Sequence, residues 1–135
     1  MKRIYFAGSI RGGETDREVY RRLITALAEV GEVLTAHVGD PSPDEGGTLS
    51  DHEIHDRDLA WLRSADLLVA EVTSASLGVG YEIASALAAG VPVYCLHRPA
   101  AGRRLSAMIA GSPGVHLIEY SEPEEAVASL RLALP

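Results

Sequence analysis

Short apolar runs take turns with stretches of helical periodicity along the whole chain. Residues 4–7 (Ile4, Tyr5, Phe6 and Ala7) read as a first strand that ends at Gly8. Thr15-Asp16-Arg17-Glu18 matches a capping box, in which a hydroxyl and a carboxylate three positions on satisfy free amides at a helix start. Behind it Val19, Leu23, Leu27 and Val30 recur at helical spacing, which predicts an amphipathic helix over 16–30. Residues 32–36 form a shorter strand, and 38–49 a polar loop containing Gly39, Pro41, Pro43, Gly46 and Gly47. Ser50-Asp51-His52-Glu53 is a second capping box and opens a helix over 51–65. Residues 67–70 are continuously apolar, as in a central parallel strand covered on both faces. A helix over 78–89 closed by Gly90, a strand over 91–96 and a short helix over 103–110 come next. A strand over 115–118 follows, and a third capping box, Ser121-Glu122-Pro123-Glu124, starts the last helix.

This alternation predicts one α/β domain over residues 1–135, doubly wound in the flavodoxin or Rossmann manner around a five-stranded parallel sheet. Ligands of such folds lie beyond the carboxyl ends of the strands, where the strand order reverses. The residues that follow the first, third and fourth strands are therefore the first place to look for chemistry.

Composition narrows the choice of partner. The chain has 135 residues, of which 47% are hydrophobic and 23% charged, enough for one core and too ordered a mixture for a disordered chain. Twelve Lys+Arg against nineteen Asp+Glu give a net charge of -7, which supplies no basic face for a nucleic-acid polymer but allows one small phosphate in a local pocket. The first apolar run breaks at Gly8 and Ser9, too early for an export signal. The sparsely charged stretch 72–97 is interrupted by Glu82, Gly90 and Pro92, so no membrane span is expected. Cys95 is the single cysteine and has no zinc-spaced neighbours, so the expectation is a reducing, cytoplasmic setting with no metal and no cofactor.

Two loops and two carboxylates carry the candidate chemistry. Gly8-Ser9-Ile10-Arg11-Gly12-Gly13 follows the first strand, where glycines permit close backbone approach, Ser9 offers a hydroxyl and Arg11 a fork of donors suited to phosphate. It matches neither the P-loop nor the dinucleotide fingerprint. Ser74-Ala75-Ser76-Leu77-Gly78 runs into a helix start, where free amides and the helix dipole attract anions; Ser76 can cap that helix and still face a phosphate. Glu82 is the one Asp, Glu, Lys or Arg between Glu71 and Arg98, on a helix whose other residues read as mostly buried. Asp58 interrupts the stripe Ile54, Asp58, Trp61, Ala65 and so faces a core or a cleft, whereas Asp51, Glu53, Asp56 and Arg57 read as surface charges. Two inward carboxylates are what glycosidic cleavage requires, one at the sugar carbon and one handling protons. His37 can line the same cleft, and Cys95, in a buried strand, is not expected to act as a nucleophile.

These blocks, together with Asp58-Leu59-Ala60-Trp61-Leu62, Ser76-Leu77-Gly78-Val79-Gly80-Tyr81-Glu82 and Leu105-Ser106-Ala107-Met108-Ile109, closely resemble the 2'-deoxynucleoside 5'-monophosphate N-glycosidases. Those are relatives of the nucleoside 2-deoxyribosyltransferases, and the resemblance runs over nearly the whole chain. It implies a homodimer that hydrolyses a deoxynucleoside 5'-monophosphate to free base and 2-deoxyribose 5-phosphate. It implies Glu82 as the nucleophile that forms a glycosyl-enzyme, Asp58 as the carboxylate assisting at the sugar and leaving base, and Tyr5 as the residue preferring deoxyribose. Ser9, Arg11, Ser76 and Gly78 would cradle the 5'-phosphate, with Ser106 reaching it from the neighbouring subunit, and Gly8, Ile10, Gly12 and His37 would be further substrate-binding residues. The chain departs from the pattern in its Gly/Pro-rich loop at 38–50 and in His97 before Arg98, both of which bear on base preference if they touch the base. Deoxyribosyl transfer to a second base, hydrolysis of a ribonucleotide such as CMP, and non-catalytic nucleotide binding are the competing functions on the same fold.

Overall fold

The computed structural model describes residues 1–10, 13–39 and 48–134. Strands β1 (Lys2–Gly8), β2 (Gly31–Val33), β3 (Leu67–Glu71), β4 (Val93–His97) and β5 (Val115–Glu119) form one all-parallel sheet in the order β2-β1-β3-β4-β5. The connections carry helices α1 (Glu14–Leu27), α2 (Asp51–Ser64), α3 (Leu77–Ala88) and α4 (Ala107–Ala110), and α5 (Pro123–Ala133) follows the last strand. This is the doubly wound five-stranded architecture expected from the alternation.

Side-chain alternation divides the core into two layers. Ile4, Phe6, Leu67, Val69 and Leu96 meet Tyr20, Leu23 and Leu27 of α1 and Leu130 of α5. Tyr5, Ala7, Leu68, Ala70, Val93 and Cys95 meet Leu59 and Leu62 of α2 and Val79 and Ile83 of α3. Covering on both faces explains why β3 and β4 read as unbroken apolar runs.

The local departures have specific causes. The capping box at Thr15 does not form: α1 begins at Glu14 with no side-chain cap, directly after Gly13 at φ 89°, a left-handed conformation suited to glycine. That helix ends at Leu27, short of residue 30. β2 stops at Val33 because Thr35 turns inward, taking the Phe6 amide at 2.9 Å and donating to the Phe6 carbonyl at 2.6 Å, and residues Ala36–Gly39 then form a 3-10 turn. Most of the loop expected over 38–49, residues 40–47, lies outside the described residues. The Ser50–Glu53 box forms as read, with reciprocal hydrogen bonds of 3.1 and 3.0 Å. The Ser121 box does not: Glu122 is the N-cap, Pro123 occupies the first helical position, and the Glu124 carboxylate instead pairs with Arg22 of α1. The helix expected over 103–110 is confined to the four-residue α4, capped by Ser106, and a separate 3-10 turn at Pro99–Ala101, ended by Gly102 at φ 74°, precedes it.

Two helix faces also differ from expectation. The fully buried residues of α2 are Leu59 and Leu62, while Ile54, Asp58, Trp61 and Ala65 are only half-buried, because their stripe runs along the edge of the helix. α3 is not mostly buried: Val79, Ile83 and Ala86 face inward, but Leu77 is 96% exposed and Tyr81, Ala84, Leu87 and Ala88 form an uncovered apolar flank.

Candidate active site

β1 and β3 are hydrogen-bonded neighbours, with Gly8 opposite Glu71, yet the sheet grows outward from them in opposite directions. At the carboxyl ends of such a pair the connections part and leave a crevice. A cleft of about 560 Å³ opens there, walled by β1, the turn after β2, α2 and the start of α3. Tyr5, Gly8, Ser9, Ile10, His37, Asp58, Ser76, Gly78 and Glu82 all line it. Ser106 does not, and is exposed at the N-terminus of α4, where its hydroxyl accepts from the Met108 amide at 3.2 Å. Arg11 and Gly12 lie outside the described residues.

The two carboxylates reach the cleft from different helices. Glu82, in the second turn of α3, is half-buried and accepts a hydrogen bond on Oε2 from the phenol of Tyr5. Tyr5 is itself only 1% exposed, so the phenol is held by the sheet. Asp58 accepts on Oδ1 from Arg57 Nε at 3.0 Å, and Arg57 NH2 lies 2.9 Å from the same oxygen. Arg57 is therefore not the ordinary surface charge its sequence context indicates.

The loops around the carboxylates are built on packing as much as on polar groups. A side chain at Gly8 would place Cβ 2.8 Å from the Tyr20 ring, so glycine is required there by α1. The Tyr20 hydroxyl in turn donates to the Ser9 carbonyl at 3.1 Å and holds the start of the loop. Ser76 caps α3 by accepting from the Val79 amide at 3.3 Å, and the exposed Gly78 follows in the first turn. This leaves a helix N-terminus at the cleft wall, where amides and dipole favour an anion. His37 sits in the 3-10 turn with its ring 6.0 Å from Trp61.

Some residues of the cleft carry no distinctive signal in the chain. His55 and Tyr81 line the mouth, with His55 Nε2 and the Tyr81 hydroxyl 2.8 Å apart and the His55 Nδ1 edge 2.9 Å from Asp56. That hydrogen bond from His55 holds the Asp56 carboxyl below its ordinary range. Their positions one turn before Asp58 and next to Glu82 were the available clue. Other residues lie away from the cleft. Burial pushes the Cys95 thiol up to about 12, which keeps it protonated and inert. His97 is buried beside the Arg103 carbonyl at 3.2 Å and is not among the residues lining the cleft. No group of three or more His, Cys, Asp or Glu among the described residues is arranged to hold a metal ion.

A second pair of carboxylates lies on the opposite face of the sheet. Glu71, at the end of β3, accepts from the Thr73 amide and hydroxyl at 2.7 and 2.8 Å, from Arg98 Nε at 3.3 Å and from the Tyr120 hydroxyl at 2.5 Å. Asp16 of α1 accepts from Arg98 NH2 at 2.5 Å and from the Ser74 hydroxyl. Both acids are nearly inaccessible, and burial, then the neighbouring Glu71 carboxylate, raises the Tyr120 phenol far above its ordinary range.

The family described as nucleoside 2-deoxyribosyltransferase matches residues 4–113. A 5-hydroxymethyl-dUMP N-hydrolase of Mus musculus is 54% identical over 127 residues, covering 90% of this chain and 73% of its own. A protein of the same name from Tetraodon nigroviridis is 51% identical over 113 residues, covering 82% and 80%. Among solved structures, the CMP N-glycosidase of Clostridium botulinum superposes with a TM-score of 0.70 at 23% identity, covering 98% of this chain and 100% of its own, a likeness of fold. The chain belongs to the nucleoside 2-deoxyribosyltransferase family, as the motif blocks around Tyr5, Asp58 and Glu82 imply.

Proposed function

We propose that this chain hydrolyses the N-glycosidic bond of 2'-deoxynucleoside 5'-monophosphates, releasing free base and 2-deoxyribose 5-phosphate. The observation that carries the reading is the convergence of Glu82, Asp58 and Tyr5 on one cleft at the reversal of the sheet. The names of the mouse and pufferfish relatives support a deoxynucleoside monophosphate as substrate.

In this reading Glu82 attacks C1' as the base departs, forming a covalent glycosyl-enzyme, and Asp58 assists proton transfer to the leaving base. Water then attacks C1', Asp58 takes its proton, and Glu82 leaves as the carboxylate. The Tyr5 phenol aims Glu82 and occupies the side of the sugar where a 2'-hydroxyl would stand. A missing 2'-hydroxyl also makes the cationic transition state less unfavourable. The phosphate lies against Ser9, Ser76 and the Gly78 amide at the start of α3, with Gly8, Ile10, Arg11 and Gly12 completing the cradle, and its binding energy positions C1'. His37 lines the base side.

The active form in this proposal is a homodimer in which Ser106 of each chain completes the other's phosphate site. The uncovered apolar flank of α3 supports it, as do Met108 at 83% exposure and Leu117 on the edge strand at 41%. Among the described residues no helix is long and apolar enough to cross a membrane; a cytoplasmic place is part of the proposal, resting on the buried, unpaired Cys95.

The test is chromatography of base release from dGMP, dCMP, dAMP, dTMP and 5-hydroxymethyl-dUMP, beside GMP, CMP and unphosphorylated deoxyguanosine. Release from deoxynucleotides, with little from the other three, is expected; binding without product would sink the hydrolytic reading. The family match itself favours a second reading, deoxyribosyl transfer, which would appear as a new nucleotide when adenine is added to the dGMP reaction.

A further inference from the structure

Residues one apart on a helix do not face each other, so an Arg57–Asp58 ion pair needs something to bend the arginine round. Trp61 does this. It is one turn from both residues, the Arg57 guanidinium lies 4.8 Å over its ring, and the same guanidinium directs both Nε and NH2 at Asp58 Oδ1. The pair is no loose surface contact: the Arg57 and Asp58 side chains are 27% and 20% exposed. Among the described residues, Asp58 Oδ2 has no donor, so one oxygen is anchored and the other is presented on the cleft wall.

We infer that Arg57 is a positioning residue which, braced on Trp61, fixes the Asp58 carboxylate in the orientation its reaction needs. The inference rests on Asp58 taking part in catalysis and goes beyond it by assigning the residue that aims it. A planar guanidinium stacked on an aromatic face is pre-organised, so little freedom is lost when it grips the carboxylate. Misplacing a reacting group by an ångström is enough to cost orders of magnitude in rate. Arg57 touches neither sugar nor base in this arrangement. It acts on turnover through Asp58 and not on substrate affinity.

The experiment compares Arg57→Ala, Arg57→Lys, Trp61→Ala and Asp58→Asn, with steady-state kinetics on dGMP and 5-hydroxymethyl-dUMP and a melting curve for each. Arg57→Ala should lower kcat about tenfold with KM within about twofold. Millimolar guanidinium should restore much of that loss in Arg57→Ala and none in Asp58→Asn. Arg57→Lys should recover part of the rate, since it keeps the charge without the fork, and Trp61→Ala should share the kcat defect. A lower melting temperature with unchanged kcat in Arg57→Ala, or a kcat loss that neither guanidinium nor lysine relieves, overturns the inference while leaving an impaired Asp58→Asn in place. Wild-type turnover by Asp58→Asn instead removes the reading of Asp58 on which the inference stands.

Discussion

Each face of the sheet carries a pair of carboxylates near its carboxyl edge, and the two pairs are built for opposite ends. Behind the sheet, each oxygen of Asp16 and Glu71 has at least one donor, from Arg98, Tyr120, Thr73 or Ser74. In front, Asp58 shows one anchored and one presented oxygen, and Glu82 shares a 560 Å³ cleft with it. Burial with saturated partners makes a rigid joint: Arg98 ties the end of β3 to the start of α1. Partial burial with acceptor atoms left toward solvent leaves a group able to meet a substrate. Paired acids alone therefore mark nothing, and what their oxygens already hold decides.

Changes on the two faces should separate chemistry from stability. Glu82→Gln should lower kcat by at least about 10⁴-fold with a melting temperature near that of the parent, measured by base release and calorimetry; near-normal turnover would dissolve the distinction between the pairs. On the other face, Arg98→Ala strands two buried acids, and the urea-derived stability should fall by about 3–5 kcal/mol. Asp58→Asn should cost about 10²-fold in kcat without comparable loss of stability. Tyr5→Phe should cost about tenfold and narrow the ratio of dGMP to GMP turnover, because in the proposed reading the phenol both aims Glu82 and stands at the 2' position. The smallest effect lies at the surface. Hydrogen bonding from Arg22 holds the Glu124 carboxyl below its ordinary 4.5, so its contribution is complete above that pH and is lost as pH falls through the lower folded value. Arg22→Ala should move the neutral-pH melting temperature by no more than about 2 °C and flatten its acid-side slope.

Much of the cleft was legible in the chain because its signals are local. Glu82 stands alone among apolar neighbours, Asp58 interrupts a stripe, and both loops are rich in small residues where a parallel sheet reverses. The Ser50–Glu53 cap is equally local and formed as read. The caps at Thr15 and Ser121 failed because Gly13 and Pro123 set the helix starts elsewhere. Arg57 was misread because its partner depends on the Trp61 ring, which a linear pattern does not place.

The sequence by itself determined the order and type of the elements, the parallel sheet and the family, since period-2 and period-3.6 burial and short motifs are properties of neighbours along the chain. Only the tertiary structure decided which acids are buried among saturating partners and which line a cleft. The chain marks Asp58 and Glu82 by their neighbours, but it does not show that Asp16 and Glu71 are saturated: Arg98, Tyr120 and Ser74 arrive from remote positions to fill their lone pairs. The reason is that hydrogen-bond saturation and solvent access belong to contacts between elements, and no single element encodes them.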